Sequence, residues 1–564
     1  MFAGLAACLC LSACEQPNWE DPNYVAQQLE TGDAATKLVA FGHLKALDDE
    51  KKKVTVPVLT KLYLEGAENQ DKFMDVLLVL RDPAAKDAYL KEVEENKNNK
   101  GGAAAEVLGE IKAKDAIDAM SKLYTTTDSS DVKQGILRGF TYMPDAQMVP
   151  VLVETLKLDV DNNPIALHAY SCDILGDIVQ EKPEALDDAG RAVLVRSIFL
   201  ANNKNQNVGT ECGIAVQKLG KAAIPELLKT FKLENKQVQQ LMMSYNFPNN
   251  RPKGTATTRL GTLQAKEVAP LIIEDIDKER ELPASVSTDR NKAIAWLSME
   301  AQSLSEEILV LGDLGAVEGK EKLIKAMNGE YEKVWAEMKN AVGLLLFVQL
   351  RQDAAKSLNR IGDRSVAGDV LKAAQDMESF KPLVDNLKAV AAHNKTPVPP
   401  AAELYSYNVT LAQVYANLAD ASAKEGFEKW ANSVSDEGLK KELLKIVPAF
   451  DLQKECASKG DAKAQAACYG AKVDDQNSII SQKATYELMR LPTEAAAPVI
   501  ASKLGTDNLE ARELISFAAY RHPSKEALAA AKKILEDESS RTGQGYALDR
   551  RRLKYLAAWL ANNT

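Results

Sequence analysis

Four stretches of the chain line up without gaps. LGEIKAKDAIDAMSKLY from Leu108 aligns with LGTLQAKEVAPLIIEDI from Leu260, LGDLGAVEGKEKLIKAM from Leu311 and LNRIGDRSVAGDVLKAA from Leu358. Each carries an apolar residue, another three positions on, a short break of small or charged residues, and a second apolar-periodic stretch. Apolar residues three and four apart place one stripe on a helix, the break reads as a tight turn, and the second stretch is the returning helix. The unit is an αα-hairpin. One hairpin cannot cover its own apolar stripe, so the neighbours must, and a run of hairpins builds one continuous core. The same frame recurs at Leu44, Leu77, Leu108, Leu137, Leu175, Val216, Leu260, Leu311, Leu358, Tyr415, Leu488 and Phe517. Intervals run from 29 to 57 residues, with one of 73 that a weaker anchor at Leu452 divides into 37 and 36.

The pattern of apolar-Gly-x-Leu/Ile, short turn, Ala/Val, Pro and Leu-Leu resembles the HEAT repeat over residues 30–560. It is strongest at 108, 216, 260 and 358 and looser after Ser406. The resemblance implies an all-α fold, an α-α superhelix of about twelve or thirteen hairpins, each stacking only on its neighbours along a curving array. Pro57, Pro150, Pro225, Pro270 and Pro498 are expected at the starts of second helices, where a missing backbone donor costs little. Lys395-Thr396-Pro397-Val398-Pro399-Pro400 is the only proline cluster, and it divides a 30–395 solenoid from a more divergent 402–564 region through a linker or kink at 396–401. Residues 279–305 stretch one unit and read as a longer connection or an added helix.

At the N-terminus, Phe2 to Leu11 is wholly apolar or small, long enough for a signal h-region and too short to span a bilayer. Leu11-Ser12-Ala13-Cys14 resembles the bacterial lipobox, although no Lys or Arg precedes the apolar run. Leu5 to Cys8 also fits, but would leave only seven residues of signal, which selects Cys14. The likeness implies a signal peptide over 1–13, lipidation at Cys14 with palmitate among the acyl chains, and a tether over 14–29. Glu15, rather than Asp, after the cysteine favours the outer membrane. Trp19 on the tether suits a membrane interface, where indoles favour the headgroup level. The longest later apolar run, Ala341 to Val348, is a buried helix turn by length.

Chemistry is sparse. The four histidines, His43, His168, His393 and His522, are dispersed, and no metal-ligand, nucleophile-elbow or dinucleotide motif occurs. Gly315 to Glu321 imitates a phosphate loop one residue short, on a repeat turn. Asp159 to Asn163 opens like a calcium loop, but Pro164 and Tyr170 replace the required Gly and Glu. Neither a cofactor, a metal nor a small-molecule substrate is expected. A formal charge of −10 without basic blocks argues against nucleic acid. Carboxylate groups at Asp48 to Glu50 and Glu92 to Glu95 read as solvated faces, as does Asp549-Arg550-Arg551-Arg552. Of seven cysteines, Cys8, Cys10 and Cys14 belong to the leader. An even remainder in an exported protein suggests pairing, Cys456 with Cys468 across the Lys459-Gly460-Asp461 turn and Cys172 with Cys212 on adjacent first helices, against a reading of four buried thiols.

The expectation is a lipid-anchored, non-enzymatic scaffold of a bacterial envelope that presents a curved repeat surface to a protein partner, in contact with the membrane through its lipid. Two other readings stay open. Some HEAT-like proteins are lyase-type factors for bilin pigments, and a glycan- or cell-wall-binding lipoprotein would show exposed aromatic pairs.

Overall fold

The computed structural model describes residues 17–97, 99–200, 209–248, 250–278, 289–331, 341–541 and 543–564. The chain is all-α: its described residues form stacked helical hairpins and contain no strand. The leader through Cys14, and residues 279–288 of the stretched unit, lie outside the described residues. That unit resumes as a single helix of 25 residues, Arg290–Leu314.

Each anchor lies on a first helix, and all are buried except Phe517, which is partly covered. At six of the twelve anchors the break that follows is the same small device. The residue four after the anchor turns left-handed, at Arg81, Lys112, Gly220, Gln264, Gly315 and Gly362 (φ 51° to 81°). The next amide then reaches back to the anchor carbonyl, Ala113 N to Leu108 O at 2.9 Å, Ala265 N to Leu260 O at 3.0 Å and Ala316 N to Leu311 O at 2.9 Å. This is a Schellman cap, which satisfies carbonyls that a helix end leaves open. A single 3₁₀ turn follows (Lys114–Ala116, Lys266–Val268, Val317–Gly319) and feeds the second helix. Gly315 to Glu321, the phosphate-loop imitation, is this cap and turn.

Two details differ from the sequence reading. Pro150, Pro225 and Pro270 do start second helices, but Pro57 and Pro498 lie inside them. Those two helices begin earlier, one at Asp49 capped by the Asp48 carboxylate and one at Thr493, so the proline falls beyond the first turn. Glu92, read as solvated, is buried and accepts a hydrogen bond from the Tyr63 hydroxyl. Burial pushes its carboxyl above the ordinary range.

The chain forms two compact units, residues 1–178 and 179–564, whose boundary falls within the Ile165–Glu181 helix and not at the proline cluster. The cluster is an extended connection inside the second unit, between Lys381–Asn394 and Ala401–Leu404.

In the first unit, hairpins bond to their neighbours through side chains 27 to 32 positions apart, such as Lys91 to the Leu64 carbonyl and Arg138 to Glu106. Its tightest contact joins Gly101–Glu110 to Ser130–Thr141. A methyl group on Gly102 would stand 2.7 Å from the Val132 Cα, and one on Gly109 would stand 2.5 Å from the Gly139 Cα and closer still to its carbonyl oxygen. Backbone meets backbone there, which only glycine allows.

The second unit doubles back. Its first helices make a forward row, Gly209–Leu219, Arg251–Thr262, Arg290–Leu314, Ala341–Ile361 and Ser406–Leu418. A return row, Ser478–Arg490, Leu509–Arg521 and Gln544–Asn563, runs back along it and packs on it. Hairpins here therefore stack on more than their neighbours, contrary to the simple array that the repeat pattern implied. The polar seam between the rows explains why: each row offers the other the groups it lacks.

Candidate functional site

A helix C-terminus leaves its last carbonyls without intrahelical partners and carries a partial negative charge. The return row supplies donors to these ends one after another. Asn562 Nδ2 donates to the Lys218 carbonyl (2.9 Å), Trp559 Nε1 to the Leu263 carbonyl (3.2 Å) and Arg521 Nη2 to the Gly312 carbonyl (3.0 Å). Arg490 Nη1 donates to the Asn417 carbonyl (2.8 Å). Lys483 Nζ sits among the Ala416, Asn417 and Ala419 carbonyls at 2.9, 3.0 and 3.2 Å. Gln180 Nε2, in turn, donates to the Ala558 carbonyl at 3.4 Å.

The seam is ionic at its centre. Glu487 holds Lys483 (2.9 Å), Arg490 (3.2 Å) and Arg364 (2.8 Å). Burial pushes the Glu487 carboxyl up, but the three cations outweigh it and hold the group below its ordinary value. One carboxylate does not balance three cations, and the helix-end carbonyls carry the rest. Burial brings the Lys483 ammonium down to about 8. Farther along, Asp313 pairs with Arg360, whose guanidinium lies 4.1 Å from the centre of the Phe517 ring. Burial raises the Asp313 carboxyl. Arg259 lies 4.5 Å over the Tyr555 ring. Within the return row, buried Arg512 binds Glu538 and Asp549, each at 2.8 Å, so Asp549 is not on the solvated face that its arginine-rich neighbourhood suggested.

Where the rows meet, they border an open cavity of about 610 Å³. Its walls come from three repeat turns of the forward row, at Lys221, Gln264 and Gly315, and from Tyr520, Arg521 and Trp559 of the return row. A second recess, of about 360 Å³, lies in the first unit between the opening helices, Pro22–Thr31 through Gln70–Leu80, and is lined by Leu29, Leu38, Phe41, Leu62 and Phe73. Leu38 is 64% exposed at its edge, and Lys45 and Lys72 lie over the Phe41 ring at 4.9 and 6.0 Å.

The residues singled out from sequence stand as follows. Cys14 lies outside the described residues. Trp19 is half-buried, stacked on His43 at 4.7 Å and edge-on to Tyr24 at 5.1 Å, so the first hairpin already holds its indole. Cys456 and Cys468 are joined by a disulfide (Cα–Cα 5.5 Å) between Pro448–Ala457 and Ala462–Gly470. Cys172 and Cys212 are buried, and neither is a free thiol. His522 is buried between the Thr493 hydroxyl and the Met489 carbonyl. Asp159 accepts bonds from the Asp161 amide and Asn162 Nδ2 inside an inter-helix loop. The seam residues were missed. Their only sequence signal is arginine or lysine at intervals on the apolar helices of the last third, at Lys483, Arg490, Arg512 and Arg521.

No protein-family model and no curated protein sequence matches the chain. Among solved structures, it is similar to the karyopherin Kap121p bound to the extreme C-terminus of the protein phosphatase Cdc14p, at 11% identity and a TM-score of 0.30, covering 97% of this chain and 61% of that one. It is similar also to Kap121p bound to Nup53p, at 11% identity and a TM-score of 0.28, covering 94% and 62%. The chain thus spans less than two thirds of the length of these helical proteins.

Proposed function

We propose that the chain is a lipid-anchored, non-enzymatic scaffold of a bacterial envelope, held at the outer membrane by acyl groups on Cys14, that binds a protein partner through its first unit. Two acyl chains suffice for stable anchoring, and a triacylated cysteine exceeds that. No helix among the described residues is long and apolar enough to cross a membrane, so the proposed anchoring rests on Cys14.

The observation that carries the binding role is the recess at the first hairpins. Exposed Leu38 stands at the edge of a cavity floored by Phe41 and Phe73. A recess with an aromatic floor, a rim that includes Lys37, Glu68, Asn69 and Lys72, and an exposed aliphatic edge suits an aliphatic or aromatic anchor side chain of a partner. A photo-crosslinker placed at Ala34, at the edge of the recess, is the test in intact envelopes. A discrete protein adduct that disappears on Leu38→Asp, with helicity unchanged, supports the reading; the same adducts with and without the substitution refute it. Cys14→Ser is expected to move the protein from the membrane pellet to the soluble fraction.

A further inference from the structure

The cavity between the rows of the second unit has a composition that packing alone does not require. Its volume, about 610 Å³, lies within the range of small-molecule sites, roughly 300–1,000 Å³. Three cations face it, Lys221 and Lys266 at the mouth and Arg521 in the wall. Arg521 is committed through one nitrogen to the Gly312 carbonyl. Lys221 and Lys266 form no ion pair among the described residues.

Two carboxylates, Asp313 and Glu267, also line the cavity, but Asp313 is already matched by Arg360 behind it. With that pair set aside, three cations remain against Glu267. The floor is aromatic, with Tyr520 and Trp559 at 5.1 Å between ring centres. The Tyr520 hydroxyl makes no hydrogen bond among the described residues, which leaves a donor for a guest.

We propose that this cavity binds a small, free organic anion: an acidic group held by Lys221, Lys266 and Arg521, on an aromatic or aliphatic body that rests on Tyr520 and Trp559. Cation-lined walls fix the charged end and the rings cover the apolar end, the usual division of labour in such sites. The proposal does not depend on the lipid anchor or on the partner of the first unit.

The test uses 8-anilino-1-naphthalenesulfonate, an aromatic anion of suitable size, with the full chain and with two double variants. K221E/K266E reverses the mouth. K232E/K236E makes the same change of net charge on exposed positions away from the cavity. The expected result is saturable binding at one site per chain, weakened about tenfold or more by K221E/K266E and less than twofold by K232E/K236E. The neutral N-phenyl-1-naphthylamine should bind at least tenfold more weakly and ignore both variants. Absence of saturable dye binding, equal affinity in the two double variants, or a neutral dye that binds as well as the anion would each overturn the proposal. Circular dichroism of both variants shows whether the helices remain intact.

Discussion

The two units solve the same problem in opposite ways. In the first, a hairpin closes against the next one along the chain, and its tightest joint is a bare backbone contact at Gly102, Gly109, Gly135 and Gly139. In the second, hairpins also close against others 64 to 378 residues away, through charged and amide groups taken out of water, from Lys483 with Ala419 to Gln180 with Ala558. Close approach of backbones gains dispersion contacts and hides little polar surface. A charged seam must replace every lost water contact, and it succeeds here because carbonyl ends of one row accept what the other row donates. The first arrangement tolerates any number of repeats. The second fixes the number, because each donor has one matching helix end.

Breaking the seam should cost the most. Lys483→Met leaves the Ala416, Asn417 and Ala419 carbonyls without their donor and strips Glu487 of one cation, with an expected loss of about 3–5 kcal/mol in the second unit alone. Urea titration followed by hydrogen exchange separates the two units, and a loss shared by both would contradict the division. The same lysine gives a pH signature. Its ammonium holds its proton less tightly folded than unfolded, so between about pH 8 and 10 the unfolded chain binds more protons and stability rises with pH, by roughly 2–3 kcal/mol. Near pH 10 the rise ends, because buried Tyr469 and Tyr520, held protonated, pull the other way. In Lys483→Met the rise should be absent.

The first unit has its own weak point. Gly109→Ala drives a methyl group into the Gly139 backbone and should cost about 2–3 kcal/mol, confined to amides of Gly101–Glu110 and Ser130–Thr141. A uniform loss across the chain would mean that the glycine contact is not local. Reduction of Cys456–Cys468, which closes a short loop in the turn between the rows, should cost about 2 kcal/mol. Mass spectrometry of alkylated, non-reduced protein checks the bond first. Smallest is Trp559→Phe, which keeps a six-membered aromatic ring but removes the pyrrole edge that donates to the Leu263 carbonyl, for about 1 kcal/mol.

This contrast also explains what could be read in advance. Apolar spacing marks the anchors because each anchor buries against a residue one repeat away, and a periodic pattern encodes that distance. Lys112 and Gln264, the left-handed residues of the caps, follow from the anchors by counting four. The return row is different. Arg490, Arg521 and Asp549 look like surface residues, since opposite charges three positions away, at Glu487 and Arg552, read as exposed helical pairs, and their other partners are carbonyls or distant side chains. A carbonyl leaves no trace in a residue's identity. Asp549 was misread because its partner Arg512 lies 37 residues back, and Glu92 because its partner Tyr63 sits one repeat back in a position that looked like core packing. The cavity at Lys221, Lys266 and Arg521 was invisible for the same reason, since its walls meet only after the chain has turned around.

The Trp559 and Asn562 donors have a consequence for synthesis. A polypeptide leaves the ribosome with its N-terminus first, and the helix ends at Lys218 and Leu263 wait more than 290 residues for the groups that cap them. The first unit can settle while the rest is still being made. The second stays unfinished until Trp559 and Asn562 emerge, so a chain cut before Trp559 would leave distant helices near its beginning uncapped.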